Sequence, residues 1–135
     1  MTADALFPLD YGQRRAAWPD LRPRLAALVA RTGEPWMPED VFHLTTMGQA
    51  TLWATPDLGC FIVTQIDEQP WGRSLVVWIA SEVTDAHAVA YMDQVKSIAR
   101  DAGCDRVTFT SPRRGWMRAL PGVAVRYEYS FEAGE

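Results

Sequence analysis

The chain has 135 residues, 48% hydrophobic and 22% charged, with a net charge of -4. That length supports one domain with its own core, without a need for disulfides or a structural metal. The negative charge argues against general nucleic-acid binding, which rests on neutralising phosphates with Lys and Arg, and no apolar run reaches the ~20 residues that span a bilayer.

The opening MTADALFPLD has neither the basic start nor the long apolar stretch of a signal peptide, so a cytoplasmic protein is expected. Residues 1–17 read as an N-terminal arm, because Pro8 and Gly12 interrupt any periodicity; it orders only if Leu6, Phe7 and Leu9 dock on something. A single domain is then expected over 18–135. Pro19-Asp20 opens a helix whose Leu21, Leu25, Leu28 and Val29 form an i, i+4, i+7, i+8 stripe, ending at Gly33. A second short helix starts at Pro38, with Glu39 and Asp40 at its positive dipole end, and stops near Gly48.

A three-strand meander follows. Its strands are Ala50 to Ala54, Cys60 to Ile66 and Arg73 to Ala80, joined through Thr55-Pro56-Asp57-Leu58-Gly59 and Glu68-Gln69-Pro70-Trp71-Gly72. The run LVVWIA in the third is apolar enough for a central strand covered on both faces. From about Thr84 to Ala102, the positions Ala88, Tyr91, Met92, Val95, Ile98 and Ala99 keep a helical spacing, and Gly103 follows the end. Val107 and Phe109 belong to a fourth strand, which a helical crossover makes parallel to the third. Arg114 to Leu120 fits one or two helical turns before Pro121-Gly122. The alternation Val123, Val125, Tyr127, Tyr129, Phe131 predicts a half-buried final strand.

The strand-to-helix junction is the informative part of this pattern. Backbone N–H groups and the helix dipole make such a junction a natural anion site, and glycines let a phosphate approach the backbone closely. Here the junction reads Ser81-Glu82-Val83-Thr84-Asp85-Ala86-His87, with no glycine and two acids. Glu82, at the end of the central strand, is the better candidate base, since ligands gather at strand ends in α/β sheets; the alternative is a helix N-terminal charge that stabilises the dipole. The two histidines, His43 and His87, titrate near neutrality and are conceivable bases, but they show no ligand spacing, and no metal is expected. Cys60 and Cys104 match no metal or redox spacing and read as small buried hydrophobes. Arg113, Arg114 and Trp116 form a polar-aromatic cluster suited to an acidic partner, a small ligand or an anion; the alternative is a packed Trp116 beside solvated arginines. Trp71, in a Pro-Trp-Gly turn, is the most exposed candidate of the six tryptophans and a possible partner contact.

The order helix, helix, three-strand meander, long helix, strand, short helix, strand resembles the GNAT N-acyltransferase fold over about residues 18 to 132. More narrowly, Gly48-Gln49-Ala50-Thr51-Leu52-Trp53, Ala102-Gly103-Cys104-Asp105 and Arg114-Gly115-Trp116-Met117-Arg118-Ala119-Leu120 look like small GNAT-like proteins of tailed-phage and prophage virion gene clusters. The resemblance implies an α/β fold with a mixed sheet and an acetyl-CoA site between two splayed parallel strands. In active members the pyrophosphate sits on a Gln/Arg-x-x-Gly-x-Gly/Ala loop, where this chain has Glu82 to His87. Both glycines and the leading Gln or Arg are missing, and the Asn and the general-acid Tyr of the following short helix are absent from RRGWMRAL. No cofactor is therefore expected, and the implied role is a catalytically degenerate, virion-associated or protein-interaction component. Its partners would be phage structural proteins or a second copy. The alternative is an active acetyl-CoA-dependent N-acyltransferase, with Val83, Thr84, Asp85, Ala86 and His87 lining the cofactor and Glu82 as base.

Overall fold

The N-terminal helix starts well before the proline signal at Pro19. In the computed structural model, which describes residues 5–81, 85–110 and 122–134 (backbone alone for 85–90), strand β1 (Phe7–Pro8) leads into helix α1 (Tyr11–Thr32). Asp10 caps that helix. Its carboxylate accepts from the Gln13 N–H at 2.8 Å, while Gln13 Oε1 accepts from the Asp10 N–H at 2.9 Å. This reciprocal box satisfies two donors that a helix start leaves free. Pro19 and Pro23 therefore lie inside the helix. Both are on its exposed face, where water can take the carbonyls they leave unbonded.

The segment expected as an arm is built into the sheet over its described residues. β1 pairs antiparallel with β2 (Thr51–Ala54), placing Phe7 opposite Ala54. Leu6 is buried, and the side-chain amide of Gln94 holds both its N–H and its C=O, at 3.1 and 2.8 Å. The docking that such an arm needs in order to be ordered is thus present.

Helix α2 (Pro38–Thr46) begins at the expected proline, and strands β3 (Phe61–Gln69) and β4 (Gly72–Ala80) form the expected hairpin. Helix α3 (Asp85–Asp101) then crosses to β5 (Arg106–Phe109). The sheet order is β1-β2-β3-β4-β5, antiparallel except for the parallel β4–β5 pair. Asp105 fixes where β5 begins: its N–H donates to the Arg73 carbonyl at 2.7 Å, and its carboxylate accepts from the Arg73 N–H at 3.3 Å. The register Ser74 opposite Arg106 follows from that clamp.

The core has two unequal halves on the two sheet faces. Phe61 and Val63 pack with Leu21, Leu25 and Val41 under α1 and α2. Ile62, between them in sequence, packs on the other face with Leu75, Val95 and Ala99 under α3, as strand alternation requires. β4 feeds both, through Leu75 and Ile79, so its expected burial on two faces is observed. Fully burying a leucine such as Leu25 contributes about 1.5–3 kcal/mol.

One expected strand is not formed among the described residues. Val123 to Phe131 has no ladder partner among the described residues. Its apolar side chains stand in solvent: Val125 is 51% exposed, Tyr127 80%, Tyr129 86% and Phe131 98%. Alternation states which face a strand would bury; it cannot supply the neighbouring strand. The helical turn expected over Arg114 to Leu120 lies outside the described residues.

Candidate functional site

β4 carries one residue too many for its partner. Val63 pairs with Ile79 and Thr64 with Val77, leaving Trp78 unopposed as a β-bulge. The parallel ladder to β5 stops at the same level. Val77 faces Phe109, no further pair follows among the described residues, and β4 continues to Ala80. Among the described residues, pairing between the two parallel strands thus stops at the level of the bulge, just before the junction into α3. The Trp78 ring is held on the α1–α2 face by Trp36, edge to face, with centroids 5.7 Å apart and planes at 67°. Trp36 comes from the α1–α2 connection and is buried.

Past the bulge the chain returns to β3. The Ser81 N–H donates to the Phe61 carbonyl at 2.9 Å, and Ser81 Oγ accepts from the Phe61 N–H at 3.0 Å. The first amide of the junction is therefore used inside the sheet. Glu82, Val83 and Thr84 lie outside the described residues. Asp85, Ala86 and His87 form the first turn of α3, with only their backbone described.

The other sequence candidates fall in separate places. Arg113, Arg114 and Trp116 lie outside the described residues. Trp71 occupies the β3–β4 turn and is 83% exposed, as its Pro-Trp-Gly setting indicates. His43 is exposed on α2, on the opposite side of the sheet from α3 and His87. Among the described residues, no three His, Cys, Asp or Glu side chains come together as a metal site. Cys104 is buried, but Cys60 is only half-buried.

A groove that the sequence did not indicate runs between α1 and α2. It measures about 460 Å³ and is lined by Tyr11, Arg15, Trp18, Glu39, Phe42, His43 and Thr46. Phe42 is its centre, edge to face with Tyr11 at 5.9 Å and with Trp18 at 5.0 Å. Behind it lies Arg14, 7% exposed, whose guanidinium sits 5.7 Å from the Tyr11 ring and 5.8 Å from the Phe42 ring. Arg14 donates to the Leu9 carbonyl at 3.1 Å and to Thr46 Oγ1 at 3.3 Å, and its Nε has no partner among the described residues. At the rim, the Glu39 carboxyl is held below its usual range, first by a backbone N–H hydrogen bond and then by Arg22, 2.7 Å away. The sequence signal for it is the i, i+3, i+4, i+7 spacing of Tyr11, Arg14, Arg15 and Trp18, which crosses the boundary expected at residue 17.

Several solved structures share this arrangement of elements. A probable acetyltransferase superposes with a TM-score of 0.70 at 11% identity, covering 97% of this chain and 96% of that one. The ribosomal-protein-alanine N-acetyltransferase of Brucella melitensis biovar Abortus 2308 gives 0.69 at 16% identity, covering 98% and 100%. An aminoglycoside acetyltransferase from an uncultured soil metagenomic sample, solved with sisomicin, gives 0.62 at 10% identity, covering 95% and 96%. The chain has a GNAT-like fold. No protein-family model matches the sequence, and no curated protein matches it.

The resemblance implies acetyl-CoA at the β4–α3 junction, where the residue types differ from the glycine loop that it also implies. The sequence from Ser81 to His87 has no glycine, the residue that lets a phosphate approach a backbone closely. It carries two acids, Glu82 and Asp85, and negative charge is of the wrong sign for holding an anion at a helix N-terminus. Ser81, the first residue, has already committed its N–H to Phe61.

Proposed function

We propose that this chain keeps a GNAT-like scaffold without acetyl-CoA chemistry and serves as a protein-interaction component. The observation that carries the proposal is the glycine-free, doubly acidic junction, whose first amide is used inside the sheet. The open aromatic groove of Tyr11, Trp18 and Phe42, together with the exposed Trp71, supports a role in contact rather than turnover. Aromatic anchors of this kind are enriched in protein interfaces. The assembly is suggested by the resemblance of Gly48–Trp53, Ala102–Asp105 and Arg114–Leu120 to tailed-phage virion-cluster proteins: a virion-associated component, with phage structural proteins as partners. Arg113, Arg114 and Trp116 are the contact residues proposed alongside Trp71. The test is fractionation of a phage-producing culture. Co-sedimentation with particles is expected; chain found only free in the host cytoplasm, with CoA bound, overturns the proposal.

The bulge at Trp78 and the end of the ladder at Phe109 favour a second reading, an N-acyltransferase with an atypical loop and Glu82 as base. It requires release of free thiol from acetyl-CoA with some member of an amine panel, and it fails if none is released.

A further inference from the structure

Around the α1–α2 groove the acids are spent and two of the bases are not. Asp10 accepts from the Gln13 N–H at the start of α1, and Asp40 accepts from the Met37 N–H at the start of α2, each at 2.8 Å. Asp20 pairs with Arg24 at 3.4 Å, and Glu39, at the groove rim, pairs with Arg22 at 2.7 Å. Arg14 and Arg15 take part in neither of these ion pairs, the two found among the described residues. Arg15 is exposed, with its guanidinium 5.9 Å from the Tyr11 ring. Arg14 lies buried against the Tyr11 and Phe42 rings, and its hydrogen bonds run to neutral oxygens of Leu9 and Thr46. Its Nε has no partner among the described residues.

A buried guanidinium without a counter-charge is costly, and an anion brought near it offsets that cost where water screens little. The rings supply the apolar part of the site. Tyr11 is half exposed, and Phe42 stands between it and Trp18, edge to face with both. From Tyr11 to Trp18 the groove follows α1 for about 10 Å, the length of about two helical turns. An open trough of that length suits a segment of polypeptide, in the way helical grooves take the apolar side chains of a partner. It lies across the sheet from α3, so an occupant leaves the β4–α3 junction untouched.

We propose that this groove binds a short acidic segment of a partner protein, with an aromatic or aliphatic side chain seated against Phe42 and a carboxylate on Arg15. Arg14 adds its charge from beneath the rings, so the site favours acids over bases beyond the reach of the one exposed arginine. Glu39 does not oppose this, because Arg22 already balances it. The inference names the partner chemistry for the protein-interaction reading and rests on that reading.

The test selects short displayed peptides of random sequence on the immobilised full chain. The selected peptides should combine Asp or Glu with an aromatic or leucine side chain. As synthetic peptides followed by fluorescence anisotropy, they should bind about tenfold more weakly to Arg15→Glu, where attraction becomes repulsion, and keep their affinity for Arg15→Lys. Exchanging the acids of a selected peptide for lysines should restore binding to Arg15→Glu, which a misfolded variant could not show. Phe42→Ala should abolish binding; Phe42 also packs α2 against α1, so if circular dichroism finds that variant unfolded, the exposed Arg15 carries the test. The proposal is overturned if no peptide is selected, if the selected peptides show no preference for acids, or if acidic ones bind Arg15→Glu or a folded Phe42→Ala as they bind wild type. A full chain that sediments as a dimer and is separated by Arg15→Glu overturns it in favour of a second copy. Failure here with the chain still in the particle fraction removes the groove assignment alone, whereas chain found only free, with CoA bound, removes the reading beneath it.

Discussion

Replacing Trp36 and Trp78 by leucine, singly and together, tests whether the β4 bulge is held from the α1–α2 side. The rings meet edge to face at 5.7 Å and 67°, a geometry worth about 0.5–1.5 kcal/mol beyond area burial. Each Trp→Leu change keeps an apolar body, so the single losses should stay below the about 3–5 kcal/mol of a core Trp→Ala truncation. Trp36, buried, should lose more than the half-buried Trp78. The double variant should be more stable than the sum of the single losses implies, by about 1 kcal/mol, because the ring contact can be lost only once. Urea unfolding followed by far-ultraviolet circular dichroism measures this; fluorescence would mix all six tryptophans. With a urea slope of about 2 kcal/mol per molar, the coupling corresponds to about 0.5 M in midpoint. Additivity within about 0.3 kcal/mol would refute the idea that these rings brace the bulge.

Asp10→Ala removes the side-chain acceptor that starts α1 at Tyr11, and should cost about 1 kcal/mol in urea unfolding; no loss would return the helix start to Pro19. Gln94→Ala releases both backbone groups of Leu6, and at about 0.5–1.5 kcal/mol per hydrogen bond should cost about 1–3 kcal/mol and raise amide exchange in the β1 strand. Asp57 titrates below its ordinary value of 3.8, first because the Gly59 N–H and then because the Thr55 hydroxyl donates to its carboxylate. A lowered folded-state pKa means that the stabilisation is complete above that ordinary value and is lost as pH falls through the folded-state value. The stability gap between wild type and Asp57→Asn should therefore be constant at neutral pH and close only in acid; a gap that widens in acid would contradict it.

The long periodic elements were legible in the sequence because their packing is local and repetitive. The stripe on α3, the apolar run of β4 and Pro38 at the head of α2 all stand where residue spacing puts them. What was illegible depended on non-local partners. Leu6 is ordered by Gln94, 88 positions away, and Pro19 is a weaker helix-start signal than the Asp10–Gln13 box upstream of it. Val123–Phe131 has the alternation of a strand and no ladder partner among the described residues. At the site, the missing glycines were visible from residue identity alone. The bulge at Trp78 was not, because a bulge is a mismatch in count between two strands. The α1–α2 groove appears only once α1 extends back to Tyr11.

Titration of the full chain with acetyl-CoA by isothermal calorimetry decides whether this GNAT-like fold has kept its cofactor. No saturable heat up to millimolar acetyl-CoA is expected, because Glu82 and Asp85 occupy a glycine-free junction whose first amide is bonded to Phe61. Binding at micromolar affinity, about 8 kcal/mol of free energy, would contradict it.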